Sequence, residues 1–252
     1  MQTSDHTFFE WMHEVANADS SKFGLVQNFL AQDQRKIERL IRLNKEIKIP
    51  IDNYMIVNGE DFEFENSDLN DYFVANSDSL YALRMVPLVA ELGVKRVLGI
   101  TRKECFDYVN SVPRGRASYR IYLWDYFVPE YSGSMIVTKQ GLYAEMVHGR
   151  HIQLTQQMVT GPEIIVGQLF FPFYRMIYSV SDQHERIVLW LAAKFLIMEK
   201  KREISPHLLP TFCKGYFEFV YHSKKGYRFI DYNDNILISS LAVSASWPDI
   251  FA

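Results

Sequence analysis

Apolar and polar residues alternate most regularly near the C-terminal end of the chain. Two runs rich in aromatic and β-branched residues, Gly215–His222 and residues 227–233, flank a polar turn at residues 223–226 that ends in glycine. Such runs on either side of a short turn predict a β-hairpin. Because side chains alternate between the two faces of a strand, residues two apart in this hairpin share one face.

Apolar residues recur at helical spacing in two long segments, residues 7–47 and residues 183–202. This spacing predicts amphipathic helices. The apolar face predicted for the second segment consists of Ile187, Leu191, Phe195 and Met198. Thr101 and Glu104 have the spacing of a capping box, which predicts the start of a further helix.

Three other segments have the composition of β-strands. Residues 51–59 and residues 95–100 predict single strands. Residues 119–147 contain three β-rich runs separated by turns, a spacing typical of an antiparallel meander.

The segment between the first two of these strands is predicted in three parts. Residues 60–71 are acidic and polar and predict an exposed loop, and residues 72–75 predict a short strand. Residues 80–92 predict a helix, which Ser77 or Asp78 would cap.

The composition is that of a globular protein, with 48% hydrophobic and 23% charged residues in a chain of 252. The formal net charge is only -3, so we expect no nucleic-acid partner. Cys105 and Cys213 have no metal-ligand spacing and indicate reduced thiols in a cytoplasmic protein. No signal peptide is expected, and the longest apolar window, residues 187–198, is far shorter than a membrane span.

The sequence lacks a P-loop, a dinucleotide fingerprint, a zinc-binding helix and a nucleophile elbow. The hairpin, however, contains three oxygen-bearing side chains: Glu218 lies between two phenylalanines, and Asp231 lies two residues before Asn233. Antiparallel pairing would bring them together, and Mg²⁺ is typically held by one or two carboxylates plus substrate phosphates. The same residues are also typical of the solvated surface of an ordinary hairpin.

The order of the predicted elements resembles that of the nucleotide-binding ATP-grasp domain, and among its members the domain of phosphoenolpyruvate synthase and pyruvate phosphate dikinase. Residues 93–104 resemble the family's strand-then-helix passage. Residues 120–127 resemble the strand that ends in the adenine hinge, and residues 132–137 the Ser-Gly strand that follows. Residues 187–233 are similar to the metal-binding end, where one acid lies on the first strand and an acid-x-Asn on the second.

The resemblance implies an α+β fold with two α+β subdomains, antiparallel sheets and preceding N-terminal helices. The implied division is an N-terminal helical segment at residues 1–50, a smaller α+β subdomain at 51–116 and an antiparallel-sheet subdomain at 117–252. It also implies ATP and Mg²⁺ as cofactors, with a small-molecule acceptor as the second substrate. Homo-oligomerisation is left open.

By this resemblance Glu218, Asp231 and Asn233 would hold Mg²⁺. Phosphoryl transfer depends on positioning and on neutralisation of charge by metal and cationic side chains. Lys95 and Arg102 are the candidate phosphate contacts within the nucleotide site.

The adenine site implied by the resemblance lies at the end of the strand before the Ser-Gly strand. Trp124 and Tyr126 would form its walls, and Asp125 would accept a hydrogen bond from adenine or ribose. Glu130 would reach the ribose hydroxyls. The alternatives are that the two aromatic residues belong to the core and that Glu130 is a solvated turn residue.

One departure from the family pattern concerns an arginine. Where the phosphoenolpyruvate synthase group has Val-Arg-Ser-Ser, this chain has Val-Ala-Asn-Ser, so Ala75 stands in place of the phosphate-binding arginine. Its charge would be supplied instead by Lys95, Arg96, Arg102, Lys139 or Arg150, of which Lys139 and Arg150 are the candidate catalytic cations. Arg150 and His151 alternatively contact the second substrate or form an exposed turn.

Three hypotheses follow. The first is an ATP- and Mg²⁺-dependent protein that activates a carboxylate or transfers phosphate. The second is a degenerate nucleotide-binding scaffold, with the N-terminal helices as a partner surface. The third is an α+β binding module without a nucleotide.

Overall fold

The computed structural model describes residues 35–89, 92–112, 115–138, 141–151, 163–170, 176–198 and 211–234. The chain divides into two compact units: unit 1 is Met1–Lys36 with Asp52–Phe127, and unit 2 is Ile37–Ile51 with Val128–Ala252. The first part of the predicted N-terminal helical segment, residues 1–34, lies outside the described residues. The division into three segments derived from the resemblance stays a prediction.

The described helices are α1 (Lys36–Ile47), α2 (Ser67–Ala75), α3 (Arg102–Asn110) and α4 (Gln183–Lys194). The described strands are β1 (Met55–Asn58), β2 (Leu80–Pro87), β3 (Lys95–Ile100), β4 (Tyr119–Tyr126), β5 (Tyr131–Val137), β6 (Gly141–His148), β7 (Ile165–Phe170), β8 (Met176–Tyr178), β9 (Ile197–Met198), β10 (Thr211–Phe212), β11 (Gly215–His222) and β12 (Gly226–Asn233). No helix among these is long and apolar enough to cross a membrane.

Unit 1 contains a four-stranded antiparallel sheet in the order β1-β4-β2-β3. Helices α2 and α3 pack on one face, where Phe73 and Phe106 are almost completely buried. Leu83 on β2 and Ile121 on β4 contribute to the same core from the sheet. The capping box predicted for α3 is confirmed, because the Thr101 side chain and the Glu104 side chain each bind the other's backbone N–H.

The predicted helix at residues 80–92 is wrong, since Leu80–Pro87 forms strand β2. This strand pairs with β3 on one side and β4 on the other, and seven of its eight residues are buried. A strand buried on both faces has no polar alternation, so its apolar run cannot be distinguished from a buried helix by pattern.

The predictions for residues 67–75 are also wrong, because Ser67–Ala75 forms helix α2 rather than a loop and a strand. Asn66 caps this helix: its side chain accepts a hydrogen bond from the backbone N–H of Leu69 at 3.0 Å. Ala75 is therefore the last residue of a helix and does not lie on a strand.

Unit 2 contains a six-stranded antiparallel sheet in the order β12-β11-β5-β6-β7-β8. Helices α1 and α4 contribute to the core on one face of this sheet, α1 through Leu40 and Leu43. Phe217 and Phe219 from the predicted hairpin are completely buried in the same core. The hairpin is confirmed, and so is the α+β class with antiparallel sheets. All three runs of the predicted meander form strands, but only β5 and β6 pair, because β4 belongs to the sheet of unit 1.

Helix α4 ends earlier than predicted and buries a different face. Ile187 and Leu191, predicted for the core, are 46% and 39% exposed. The buried residues are Val188, Leu189, Ala192 and Ala193. The helix approaches β7 closely, since a Cβ added to Gly167 would lie 2.7 Å from a methyl group of Leu189.

Candidate functional site

The two acids predicted as metal ligands lie opposite each other in the hairpin. In the antiparallel pairing of β11 with β12, Glu218 faces Asp231, and Tyr216 faces Asn233. Residues directly opposite each other in such a pair point to the same side of the sheet. The hairpin therefore brings the two carboxylates together and places Asn233 two pairs further along, on the same face.

A β-bulge lies immediately beyond this pair. Phe219 pairs with Phe229, whereas the preceding Glu218 pairs with Asp231, so Ile230 is an extra residue in β12. Such a bulge increases the local twist and changes the direction of nearby side chains. Here it keeps Phe229 in the core while Asp231 stays beside Glu218 on the opposite face.

Glu218 belongs to a row of polar side chains on the face of the unit 2 sheet away from the core. The pairing places Asp231, Glu218, Ser134 and Glu145 side by side on four successive strands. With neighbouring strands about 4.8 Å apart, this row is about 14 Å long. Burial raises the pKa of Glu145 at its far end.

A buried hydrogen-bond network orients the Glu218 carboxylate. The hydroxyl of Tyr216 donates to Glu218 Oε1 at 2.8 Å and lies 3.2 Å from Ser134 Oγ. His151 Nε2 lies 3.0 Å from the same Ser134 Oγ, and His151 Nδ1 lies 3.8 Å from Glu218 Oε2. The side chains of His151 and Glu218 are only 12% and 13% exposed.

The ionisation of Tyr216 is suppressed in this network. Burial is the largest cause of its raised pKa, and the neighbouring charge of Glu218 raises it further. Tyr216 therefore keeps its proton at neutral pH and acts as a hydrogen-bond donor to Glu218.

Asp231 also contacts Tyr232 and Arg39. Its Oδ1 accepts a hydrogen bond from the Tyr232 backbone N–H at 2.7 Å. Arg39 of helix α1 places Nη2 3.9 Å from the same oxygen, with a side chain that is 13% exposed. Arg39 was not predicted as a site residue, because the polar face of its helix has the composition of a solvated surface.

The donor chemistry of the hairpin fits Mg²⁺. Two carboxylates and one amide are oxygen donors, and Mg²⁺ commonly keeps several waters and binds few protein ligands. Within the described ranges, no group of three or more His, Cys, Asp or Glu side chains is arranged to hold a metal ion. The set fits a metal that is completed by substrate oxygens better than one enclosed by the protein.

The residues predicted for adenine lie in unit 1, at the end of β4. The ring centroid of Trp124 is 5.4 Å from that of Tyr54, in an edge-to-face arrangement. Trp124 and Tyr126 share one face of the strand, and Asp125 points to the other. On that other face Asp125 lies near Tyr72, since after burial its charge is the next cause of the raised pKa of Tyr72.

The two predicted phosphate contacts of unit 1 do not share the face of Trp124. Lys95 lies opposite Met85, which belongs to the core face of the sheet. The guanidinium of Arg102 is 5.1 Å from the centre of the Phe73 ring and donates a hydrogen bond to Asn70. These contacts give Arg102 a role in fixing α3 to α2.

Arg84, in the middle of β2, was not predicted from the sequence. It is a stronger candidate for a phosphate contact than Lys95 and Arg102. Its side chain is 5% exposed although the residue is charged. It lies opposite Tyr122 on one side and Arg96 on the other, on the face that also contains Trp124. The sequence shows Arg84 as the single arginine within an apolar run. Because that run was predicted to be a helix, Arg84 was not recognised as part of a buried strand.

The remaining predicted residues belong to unit 2. The Glu130 carboxylate accepts hydrogen bonds from the backbone N–H of Ser223 at 3.0 Å and from its hydroxyl at 2.6 Å. The hydroxyl bond, as the largest cause, lowers the pKa of Glu130. Glu130 thus fastens the hairpin turn to the start of β5. Arg150 is exposed, and Lys139 lies outside the described residues.

Unit 1 also contains a cavity of about 220 Å³. Its lining consists of Met55, Ile56, Val57, Asn58, Asp61, Asn66 and Asp68. None of the residues predicted to bind the nucleotide lines it.

No family model and no curated protein matches this sequence. Solved structures do resemble the fold. A macrocyclase from Microcystis aeruginosa bound with a precursor peptide has a TM-score of 0.41 at 11% identity, over 81% of this chain and 53% of that one. The D-alanine-D-alanine ligase from Coxiella burnetii has a TM-score of 0.39 at 9% identity, over 76% and 45%.

A third similar structure is a RiPP-associated ATP-grasp ligase from Chryseobacterium gregarium in complex with ADP and a leader and core peptide. Its TM-score is 0.39 at 10% identity, over 86% of this chain and 62% of that one. This chain spans about half the length of the first two structures and less than two thirds of the third. At these scores and identities the similarity does not assign the chain to a family.

Proposed function

We propose that this protein binds ATP and Mg²⁺ in an ATP-grasp-like manner and uses them to activate a carboxylate or to transfer phosphate to a small-molecule acceptor. The observation that supports this proposal is the pairing of Glu218 with Asp231, with Asn233 two residues further along β12 on the same face. Three oxygen donors on one hairpin match the ligand chemistry of Mg²⁺ bound together with phosphates.

In this proposal unit 2 holds the metal. Glu218, Asp231 and Asn233 would hold Mg²⁺, which would supply neutralisation of the negative charge of the phosphates. Tyr216 donates to Glu218 and keeps the carboxylate oriented. Arg150, exposed beside His151, is the candidate contact for the transferred group, and Lys139 keeps the role predicted for it.

Unit 1 binds the nucleotide in this proposal. The base stacks against Trp124, with Tyr126 on the same face. Arg84 and Arg96 lie on that face as neighbours across β2 and β3, and we assign to them the phosphate contacts expected of Lys95 and Arg102. A guanidinium suits this task because its planar fork of donors matches phosphate oxygens.

Thermal unfolding with and without Mg²⁺-ATP tests the proposal. A ligand that binds only the native state at 100 times its Kd stabilises it by about 2.7 kcal/mol. For a chain of this size that corresponds to an increase in Tm of roughly 5–10 °C. An unchanged midpoint at millimolar Mg²⁺-ATP would contradict the proposal.

Two variants and one matched control test the metal ligands. Glu218→Gln and Asp231→Asn remove one charge each at nearly constant shape and should each abolish the Mg²⁺ dependence of the shift. Glu145→Gln makes the same change two strands away in the same row and should preserve it. Persistence of the Mg²⁺ dependence in the first two variants would reject the metal assignment.

A nucleotide-binding scaffold without turnover is the second candidate. The contacts of Arg102 and Glu130 favour it, because both residues bind within the protein rather than facing a ligand. Release of ADP or phosphate from Mg²⁺-ATP, measured with a panel of carboxylate acceptors, separates the two candidates. A thermal shift without any turnover would indicate the scaffold.

A further inference from the structure

Arg39 is an arginine that lies beside the candidate metal ligands of unit 2. It lies on α1, the helix whose Leu40 and Leu43 are buried in the unit 2 core. Packing of these leucines fixes the side of the helix from which Arg39 extends. Its guanidinium reaches Asp231, with Nη2 3.9 Å from Oδ1.

The hydrogen bonds of Arg39 are incomplete. A separation of 3.9 Å is longer than a direct N–H···O hydrogen bond, which ends near 3.2 Å. The Nε atom is buried and makes no hydrogen bond to any described residue. A guanidinium has five N–H donors, and leaving a buried donor unsatisfied is unfavourable. The arrangement therefore has capacity for an additional acceptor.

Arg42, one turn later on the same helix, shows what an ordinary surface pair looks like in this protein. Its Nη2 lies 3.7 Å from Asp234 Oδ2, and the two side chains are 62% and 42% exposed. Water satisfies the remaining donors of such a pair, which contributes little to stability. Arg39 differs in being 13% exposed beside an acid that is 20% exposed.

We propose that Arg39 is an anion contact of unit 2, which donates hydrogen bonds to a phosphate oxygen of the nucleotide or of its transferred group. This inference rests on the proposed function, since Asp231 would hold the metal that binds the same phosphate. Arginine forms paired, charge-assisted hydrogen bonds with phosphate oxygens. An acceptor from the phosphate completes the donors that Asp231 leaves unsatisfied.

Calorimetric titration of the full chain tests the inference, with four probes: Mg²⁺-ATP, Mg²⁺-ADP, adenosine and Mg²⁺-pyrophosphate. The variants are Arg39→Gln, Arg39→Lys and the matched control Arg42→Gln, which removes the same charge from an exposed position of α1. The unfolding midpoint without ligand is recorded for each variant, so that loss of binding is separated from loss of the fold.

Arg39→Gln should weaken Mg²⁺-ATP and Mg²⁺-pyrophosphate binding by about tenfold to a hundredfold, the range expected for hydrogen bonds to a charged group. Its affinity for adenosine should stay within about twofold of that of the unmodified protein, because adenosine has no phosphate. Arg39→Lys should recover part of the loss, since it keeps the charge but not the planar fork. Arg42→Gln should leave all four affinities unchanged.

The results separate failure of this inference from failure of the proposed function. Binding of Mg²⁺-ATP that Arg39→Gln leaves intact, or weakens no more than adenosine binding, would overturn the anion contact alone. Absence of Mg²⁺-ATP binding to the unmodified protein would contradict the proposed function. In that case, loss of pyrophosphate binding in Arg39→Gln would still support the anion contact, and retention or absence of pyrophosphate binding would overturn it. If Arg39→Gln does not fold, Arg39→Lys decides by the same criteria.

Discussion

Glu218 and Asp231 face each other across neighbouring strands, in the last regular pair before the bulge that interrupts the hairpin. Two carboxylates on one side of a sheet repel each other unless a cation or a donor compensates them. The Tyr216 hydroxyl serves Glu218 as such a donor, and Arg39 lies near Asp231. The strength of these two local contacts decides how well the pair is ordered without a metal.

We expect Tyr216→Phe to destabilise the protein by about 1–2 kcal/mol, because it removes a donor from the buried Glu218 carboxylate. Urea unfolding at neutral pH measures the change. Tyr221→Phe is a suitable control, since the Tyr221 ring packs between aromatic neighbours and its hydroxyl makes no hydrogen bond to the described residues. Equal costs for the two variants would contradict a specific role of the Tyr216 hydroxyl.

Gly133→Ala should also destabilise unit 2, by about 1–3 kcal/mol. A Cβ at this position would lie 2.6 Å from the backbone oxygen of Glu145 and 2.5 Å from the Phe219 ring. The backbone oxygen cannot move away without breaking the pairing of β5 with β6, so overpacking results. Thermal unfolding measures this cost, and an unchanged midpoint would contradict the close approach.

Both cysteines should be unreactive in the native protein. Burial raises the pKa of the Cys105 thiol to about 12 and also raises the pKa of Cys213. Because the thiolate is the reactive form, only roughly one Cys105 in ten thousand is ionised at pH 8. Reaction with a chromogenic disulfide reagent should be slow until urea unfolds the chain, and then two thiols should react. Rapid modification of one thiol at zero denaturant would show that its surroundings open.

The capping box of α3 should make stability depend on acidic pH. Hydrogen bonds from the Thr101 backbone N–H, and then from its hydroxyl, lower the pKa of Glu104 below its usual 4.5. A carboxyl with a lowered folded-state pKa stabilises the protein above its unfolded value, and this contribution disappears as pH falls through the folded value. Stability of α3 should therefore decline below about pH 4.5, and less steeply in Glu104→Gln.

Thr101→Ala tests the other half of the same cap. Loss of the hydroxyl should cost about 1 kcal/mol at neutral pH, the usual effect of removing an N-cap side chain. Chemical denaturation followed by circular dichroism measures this cost. An unchanged midpoint would mean that the backbone N–H groups of the first helical turn find other acceptors.

Local signals were sufficient for several elements of the fold. The hairpin was recognisable because its turn, its alternation and its aromatic residues agree, and the cap of α3 because Thr101 and Glu104 satisfy each other within one turn. The same hairpin spacing also paired Glu218 with Asp231, since antiparallel strands on a short turn have only a few registers. These predictions depend on contacts between residues close in sequence.

Other features depend on partners distant in sequence, and the sequence alone did not specify them. Strand β2 is a strand because β3 and β4 pair with both of its edges, although its apolar residues equally suit a helix. The buried side of α4 is the one that contacts β7, where Leu189 lies close to Gly167. Arg39 and Arg84 are ordinary arginines in the sequence, and only tertiary packing buries them.

Because of the bulge at Ile230, the hairpin should tolerate deletion of one residue of β12 better than deletion of another. Loss of the Ile230 codon would restore regular alternation, with Asp231 and Asn233 on their present face and Phe229 and Tyr232 in the core. Loss of the Tyr232 codon would instead send Asn233 inward and remove the Tyr232 ring from the core. Natural length variation in this strand should therefore be found at the first position and not at the second.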